Sequence, residues 1–427
     1  MSKNLKQKMM FKNGENADLC IVGGAGHVGL PLAIVFASKG MKVLINDVDG
    51  NAIETIKQGQ IPFMEDGAEP LLKQALKDGN LLFSQDSGCL QETPVIIVTI
   101  GTPVDEFQNP DYRAFKRWVD NALPYLCDGQ LIILRSTVYP GTTHWLQKYL
   151  LSKKIRVKVS FCPERIVQGH AIKELKDLPQ IVSGTTSNAI KQASALFGKI
   201  APEVVELQPL EAEFAKLFAN AYRYIQFAIA NQFYMICHSA GVDYYNVLEG
   251  LKRNYPRSAD IPSAGFAAGP CLYKDTMQLS AFSKNQFFLG HSAMLINEGI
   301  VLYIVDHILK DLPIHKMTIG LLGMAFKANN DDIRSSLSYK LKKILELQAE
   351  EVLITDPHVT MDKNIIPLEE VIDRSDLLIL CAPHNAYKGI DTKGKQLIDI
   401  WGFMRDDSVK SRKSSSCSMP LAKNESE

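Results

Sequence analysis

Nothing in this sequence has the spacing of a zinc site or of a disulfide framework. Its eight cysteines (Cys20, Cys89, Cys127, Cys162, Cys237, Cys271, Cys381 and Cys417) are scattered, with no C-x-x-C pair. No metal is expected, and the chain reads as one kept reduced in the cytoplasm. An excess of one charge is missing too. Lys plus Arg number 47 and Asp plus Glu 47, so no general positive field holds a polyanion, which argues against nucleic acid as a partner. Uninterrupted apolar runs are also lacking. The most hydrophobic long segment, Phe287 to Leu312, is broken by His291, Asn297, Glu298, Asp306 and His307, so no membrane span is expected. The first sixteen residues are Lys-rich without the apolar core of a secretory signal and read as a loose tail.

What is present is the composition of buried cores. Hydrophobic residues make up 46% and charged residues 22% of 427 positions, enough chain for two or three folded units. From Asp18, β-rich runs (Leu19 to Gly23, Lys42 to Asn46, Val95 to Ile100, Leu131 to Arg135, Val157 to Cys162, Gln180 to Ser183) alternate with helical patterns, which predicts a parallel sheet with helices on both faces. Between Glu211 and Ala240, Phe214, Leu217, Phe218, Ala221, Ile225, Ala228 and Ile229 recur at helical spacing and mark one apolar face of a long helix. Strand grammar restarts at Met317, with runs at Thr318 to Leu322, Val352 to Thr355, Leu377 to Cys381 and Leu397 to Ile400. The end of the chain is rich in Ser and mixed charge and is expected to be disordered.

The first strand runs into Gly24-Ala25-Gly26-His27-Val28-Gly29 and then a helical segment, the full context of a G-x-G-x-x-G turn. Gly24 permits the tight turn, Gly26 lets backbone approach a pyrophosphate, and Gly29 lets the helix pack close, with its N-terminus aimed at the anion. Asp47, ending the next strand, supplies a carboxylate for both ribose hydroxyls and would repel a 2′-phosphate, which predicts NAD rather than NADP. Further along, the small-residue loop Gly265 to Pro270 presents Cys271 and, four positions later, Asp275. A thiol needs open space and a nearby charge to act as a nucleophile. Lys216, Asn220 and Arg223 stack on one face of the long helix, where Lys and Asn could donate to an oxyanion. Ser136-Thr137 and Pro163-Glu164-Arg165 follow strand ends, where open α/β sheets bind ligands.

In combination these segments resemble the nucleotide-sugar 6-dehydrogenases, the UDP-glucose/GDP-mannose dehydrogenase family. The resemblance runs from about Asp18 to Gly402. Besides the residues above, it rests on Ile100 to Glu106, Ser136-Thr137-Val138 with Pro140-Gly141-Thr142, Cys162-Pro163-Glu164-Arg165, Gly269-Pro270-Cys271-Leu272 with Lys274-Asp275, and Gly323 to Lys327 with Asp331 to Arg334. It implies two Rossmann-like α/β domains joined by a long-helix central connector. The boundaries read as 17–208 for NAD binding, 209–312 for the helical dimerisation and catalytic-loop part, 313–403 for UDP-sugar binding, and 404–427 for a disordered tail. The implied activity is NAD-dependent four-electron oxidation of the C6 alcohol of a UDP-sugar to a uronic acid, for surface polysaccharide. The Gly-Thr-Pro-Val-Asp-Glu and Cys-Pro-Glu-Arg segments resemble most the UDP-N-acetylmannosamine/UDP-N-acetylglucosamine branch, with UDP-glucose as the alternative.

Carried over residue by residue, the resemblance makes Cys271 the nucleophile that forms a thiohemiacetal and then a thioester. Glu164 becomes the general base, Lys216 and Asn220 the oxyanion stabilisers, and Asp275 with Thr137 the pair that activates water. NAD would be held by Gly24, Gly26, His27, Val28, Gly29, Asp47, Thr102, Thr137 and Arg334. The UDP-sugar would be held by Glu164, Arg165, Ile166, Val167, Lys216, Asn220, Gly269, Phe326 and Lys327, with Arg257 reaching in from a second copy in a homodimer or larger assembly. Two departures stand out: Gln168 where the family often has an acid, and Ala267-Ala268 where its loop carries extra glycine. A two-electron β-hydroxyacid dehydrogenase, which needs no thiol, and a non-catalytic NAD or nucleotide sensor are the other readings.

Overall fold

The computed structural model describes residues 17–102, 104–105 and 111–405. The expected amino-terminal and carboxyl-terminal tails, and Pro103 and Glu106 of one motif, lie outside these residues. The described chain divides into two compact units, one ending at Lys216 and the other starting at Leu217 and also including 104–105.

Eight strands form the sheet of the first unit: β1 (Leu19–Val22), β2 (Val43–Asn46), β3 (Leu81–Ser84), β4 (Val95–Val98), β5 (Leu131–Leu134), β6 (Lys158–Phe161), β7 (Gln180–Gly184) and β8 (Val204–Glu206). Their order is β3-β2-β1-β4-β5-β6-β7-β8, so the winding reverses between β1 and β4, the switch point at which doubly wound sheets bind nucleotides. The central strands are unbroken apolar runs because both faces are covered: every residue of β1, β2 and β5 is buried. All nine residues of the helix Gly29–Ala37 are buried too, so it lacks the polar face of an ordinary surface helix.

The parallel expectation holds from β3 to β6 and fails at β7, which pairs with β6 antiparallel, Phe161 opposite Ser183. The chain leaves β6, makes only the seven-residue helix Ala171–Asp177 and turns back, so β7 enters the sheet at the end where β6 leaves it. Strands β3 and β8 escape a sequence reading. They are short, lie at the two edges and are mostly half-buried, so they carry no continuous apolar signal.

The helix Pro209–Ser239 runs from the first unit into the second. At 31 residues it is about 46 Å long. Of the face expected to be buried, Leu217, Ala221 and Ala228 are buried, but Phe218 and Ile229 are exposed together with Tyr222, Phe233 and Ile236. These five lie four, seven, four and three residues apart and form a second apolar stripe. Lys216 is buried, Asn220 half-buried and Arg223 exposed, so the three polar residues do not share one environment.

The second unit carries the sheet β9 (Thr318–Leu322), β10 (Glu351–Thr355), β11 (Leu377–Leu380) and β12 (Gln396–Ile398), in the order β10-β9-β11-β12 and parallel throughout. Its segment Phe288–Ile308 is long and apolar enough to cross a membrane by length and composition. Within the unit only 39% of it is buried, and its buried side carries Asn297, which accepts from Asn231 and donates to the Tyr224 carbonyl. Met404 and Arg405 close the described chain, Arg405 pairing with Asp243.

Candidate active site

The turn after β1 has the shape that a dinucleotide requires. A Cβ on Gly29 would stand 2.4 Å from the Gly23 carbonyl oxygen, so only glycine lets the helix start this close to the strand. A Cβ on Gly26 would meet nothing nearer than 3.6 Å, so its exposed backbone is open to a phosphate. Asp47 ends β2 half-buried. Its Oδ2 accepts the Ala25 N–H at 2.9 Å and Oδ1 accepts the Asp49 N–H at 3.1 Å. A carboxylate has about four acceptor positions, so two remain for ribose hydroxyls. His27 stacks on Phe63 at 4.0 Å between ring centroids, while Val28 begins the helix. The turn therefore has a shape that fits a dinucleotide.

The turn after β9 repeats this plan and closes it. Gly323, Met324, Ala325 and Phe326 stand where Gly23, Gly24, Ala25 and Gly26 stand in the first unit, so a phenyl ring replaces the open glycine. Asp356, just past β10, takes the place of Asp47. Its Oδ2 accepts from the N–H groups of Met324 (2.6 Å) and Ala325 (2.9 Å) and from His384 Nε2 (3.0 Å). Its Oδ1 accepts from His358 and Val359. Five donors saturate it. The Asn329 N–H donates to His384 Nδ1, so the ring meets Asp356 through Nε2. Burial alone would raise the Asp356 carboxyl, but His384 and the backbone donors hold it down at about 2. Two similar turns thus differ in kind: one presents an acid and an open backbone, and the other consumes both.

The remaining sequence-predicted residues of the first unit gather beyond β4, β5 and β6. Thr102 is buried and donates to the Thr137 carbonyl. Lys216 Nζ lies 3.9 Å from Glu164 Oε2, the side chains being only 9% and 14% exposed. Among the described residues, the other Glu164 oxygen, Oε1, is buried without a hydrogen-bond partner. Arg165 donates to the Pro179 carbonyl, and Ile166 and Val167 are half-buried, the Val167 N–H on Glu174.

In the second unit, Cys271 is exposed and caps the N-terminus of the helix Leu272–Phe282. The Arg334 guanidinium is near enough to Cys271 to interact with it electrostatically. Asp275, in the first turn, is completely buried. Its Oδ2 accepts from Asn220 at 2.5 Å and its Oδ1 from Lys274 at 2.5 Å. Gly269 has φ +99°, and a Cβ on it would stand 2.5 Å from the Phe326 ring, so the nucleophile loop sits directly against the closed turn. Lys327 lies over the Phe326 ring, and Arg334 is bound by both oxygens of Asp332, which raises its basicity. Arg257 is exposed, stacked on Tyr255.

Comparison with known proteins decides the family. The three parts of the UDP-glucose/GDP-mannose dehydrogenase family match in order: its NAD binding domain over residues 17–201, its central domain over 210–298 and its UDP binding domain over 320–406. The chain belongs to this family. As a UDP-glucose/GDP-mannose dehydrogenase family member it is an NAD-dependent nucleotide-sugar dehydrogenase. It is similar to a UDP-N-acetyl-D-mannosamine dehydrogenase of Methanocaldococcus jannaschii, 28% identical, over 89% of this chain and 88% of the relative. Among solved structures it is similar to a UDP-D-ManNAc dehydrogenase from Pyrococcus horikoshii, with a TM-score of 0.83 and 28% identity over 89% of this chain and 93% of that one. A UDP-N-acetyl-mannosamine dehydrogenase from Staphylococcus aureus gives 0.80 and 26% over 91% and 95%.

Sequence reasoning missed two buried charged residues in this family member's first unit. Glu213, fully buried one turn before Lys216, accepts from the Gly141 N–H (2.5 Å), the Thr143 N–H (2.9 Å) and Thr143 Oγ1 (2.6 Å). It ties the long helix to the loop that follows Thr137, and burial raises its carboxyl. Arg135, only 1% exposed, lies beside the Glu164 loop. Charged residues are rarely found so deep, so neither position announces itself in a sequence.

Proposed function

We propose that the protein oxidises the C6 alcohol of a UDP-N-acetylhexosamine, UDP-N-acetylmannosamine first, to the uronic acid with two NAD⁺ consumed per product. The observation that carries this reading is Cys271, an exposed thiol at a helix N-terminus one turn from a buried carboxylate held by an amide and an ammonium. A two-electron alcohol dehydrogenase has no use for such a group. A four-electron one needs it to keep the aldehyde from escaping between oxidations.

Bound NAD⁺ supplies the hydride acceptor for each oxidation, and Asp47 favours it over NADP⁺. The chain's own residues do the rest. Cys271 Sγ adds to the C6 aldehyde carbon, and the electron pair displaced onto oxygen is stabilised by Lys216 and Asn220. The thiol proton passes to that oxygen to give the thiohemiacetal; Glu164 takes this hydroxyl proton as the thioester forms, gives it up to solvent, and then takes a proton from the attacking water. Asp275 and Thr137 position that water. The C–S bond breaks, and Cys271 leaves as thiolate with the acid released.

The same reading assigns residues 17–208 to the dinucleotide, 209–312 to dimer formation and the nucleophile loop, and 313–403 to the UDP-sugar. It pairs two copies through the exposed stripe of the long helix and places the enzyme in the cytoplasm, where a nucleophilic thiol stays reduced. NADH formation across UDP-N-acetylmannosamine, UDP-N-acetylglucosamine, UDP-glucose and GDP-mannose tests it. Two NADH per UDP-N-acetylmannosamine with no free aldehyde is the expected result; one NADH per sugar, or turnover of UDP-glucose alone, would refute it.

A further inference from the structure

A buried arginine with no carboxylate in salt-bridge range is an expensive way to stitch a loop, since an apolar side chain would fill the same space without desolvating a charge. Arg135 is such a residue. It directly follows β5, and its guanidinium lies over the Phe197 ring at 5.1 Å. Its backbone N–H donates to the Val98 carbonyl, which fixes the residue to the sheet.

What it holds is a single peptide group. The Glu164 N–H donates to the Arg135 carbonyl at 3.2 Å, and Arg135 Nη1 donates to the Pro163 carbonyl at 3.2 Å and the Cys162 carbonyl at 3.1 Å. The Pro163 C=O and the Glu164 N–H are the two ends of one peptide unit, so one residue clamps it from both sides. Gln180 completes the clamp, accepting from Nη1 at 2.5 Å and donating to the same Pro163 carbonyl at 3.1 Å. It can do so because β7 enters the sheet where β6 leaves it.

We propose that Arg135 is the positioning residue for Glu164, fixing the peptide from which its carboxylate projects. The inference rests on the reading of Glu164 as general base. Among the described residues, the charged and titratable groups that bear on Glu164 and Arg135 are Lys216 from the long helix and Cys162 and Arg165 from the loop itself. Burial lowers the guanidinium to about 10, which leaves it protonated at neutral pH, and the charge of Glu164 works in the opposite direction.

The test is a pH-rate study of the full-length enzyme with UDP-N-acetylmannosamine and NAD⁺ on four forms: wild type, R135M, E164Q and the double variant. For R135M the expected result is a kcat about 10-fold or more below wild type with KM little changed. R135K, which keeps the charge but not the guanidinium nitrogen that reaches the Cys162 and Pro163 carbonyls and Gln180, also has a reduced kcat. In the E164Q background R135M costs nothing further, because it acts through Glu164. A folded R135M with wild-type kcat overturns the proposal, as does an equal loss in both backgrounds. If R135M does not fold, R135K and Q180L decide, and wild-type kcat in both overturns it. Failure of the underlying reading looks different: E164Q itself would then keep wild-type turnover and its acid limb.

Discussion

The side-chain amide of Asn220 donates to Oδ2 of Asp275 across 2.5 Å, while Lys274 holds Oδ1 at the same distance. Asp275 is thus fixed in the first turn of the helix that Cys271 caps, fully buried and with both oxygens engaged. Replacing it by Asn keeps the shape and removes the charge. D275N should lower kcat by about 10²-fold or more with little change in KM, followed by NADH absorbance. Wild-type turnover would remove Asp275 from the chemistry.

Cofactor choice rests on one carboxylate. Asp47 retains two acceptor positions after serving Ala25 and Asp49, and its charge opposes a 2′-phosphate. D47N should lower the ratio of kcat/KM for NAD⁺ over NADP⁺ by about 10-fold or more, the worth of a hydrogen bond to a charged group. An unchanged ratio would show that discrimination lies elsewhere.

Acid stability has a source in the second unit. The folded Asp356 carboxyl, at about 2, lies below its unfolded value, so its contribution is complete above about pH 4. As pH falls through 2 it is lost, an amount of about 2 kcal/mol. D356N should be less stable than wild type at neutral pH, and the difference should shrink between pH 4 and 2, read by urea titration at each pH. A difference constant over that range would contradict the assignment.

Assembly is open to a direct measurement. Phe218, Tyr222, Ile229, Phe233 and Ile236 leave an apolar stripe on the long helix that a second copy would cover. Light scattering should find a dimer for the wild-type protein and a monomer for the double variant I229E/F233E. A dimer that survives both charges would move the interface to another face.

The parts legible in the sequence were those where the backbone needs a particular residue or burial is continuous. Gly26 and Gly29 could be read because nothing else fits or stays open there, and β1, β4 and β5 because parallel strands covered on both faces are apolar throughout. Periodicity marked the long helix but not which apolar residues the chain itself covers, so Phe218 and Ile229 were placed inward and lie exposed. The antiparallel entry of β7 depends on the length of one connection, and the burial of Arg135 and Glu213 on contacts with residues up to 72 positions away. No local pattern carries that information. His384 could be noticed at a strand end, but its bond to Asp356 exists only in the folded unit.

The central claim is a covalent bond between substrate carbon and Cys271, and mass spectrometry of E164Q quenched during turnover with UDP-N-acetylmannosamine and NAD⁺ tests it most directly. The account predicts a nucleotide-sugar adduct on the peptide containing Cys271, absent when NAD⁺ is omitted and absent in C271A. An unmodified Cys271 peptide under turnover, together with undiminished NADH formation by C271A, would contradict it.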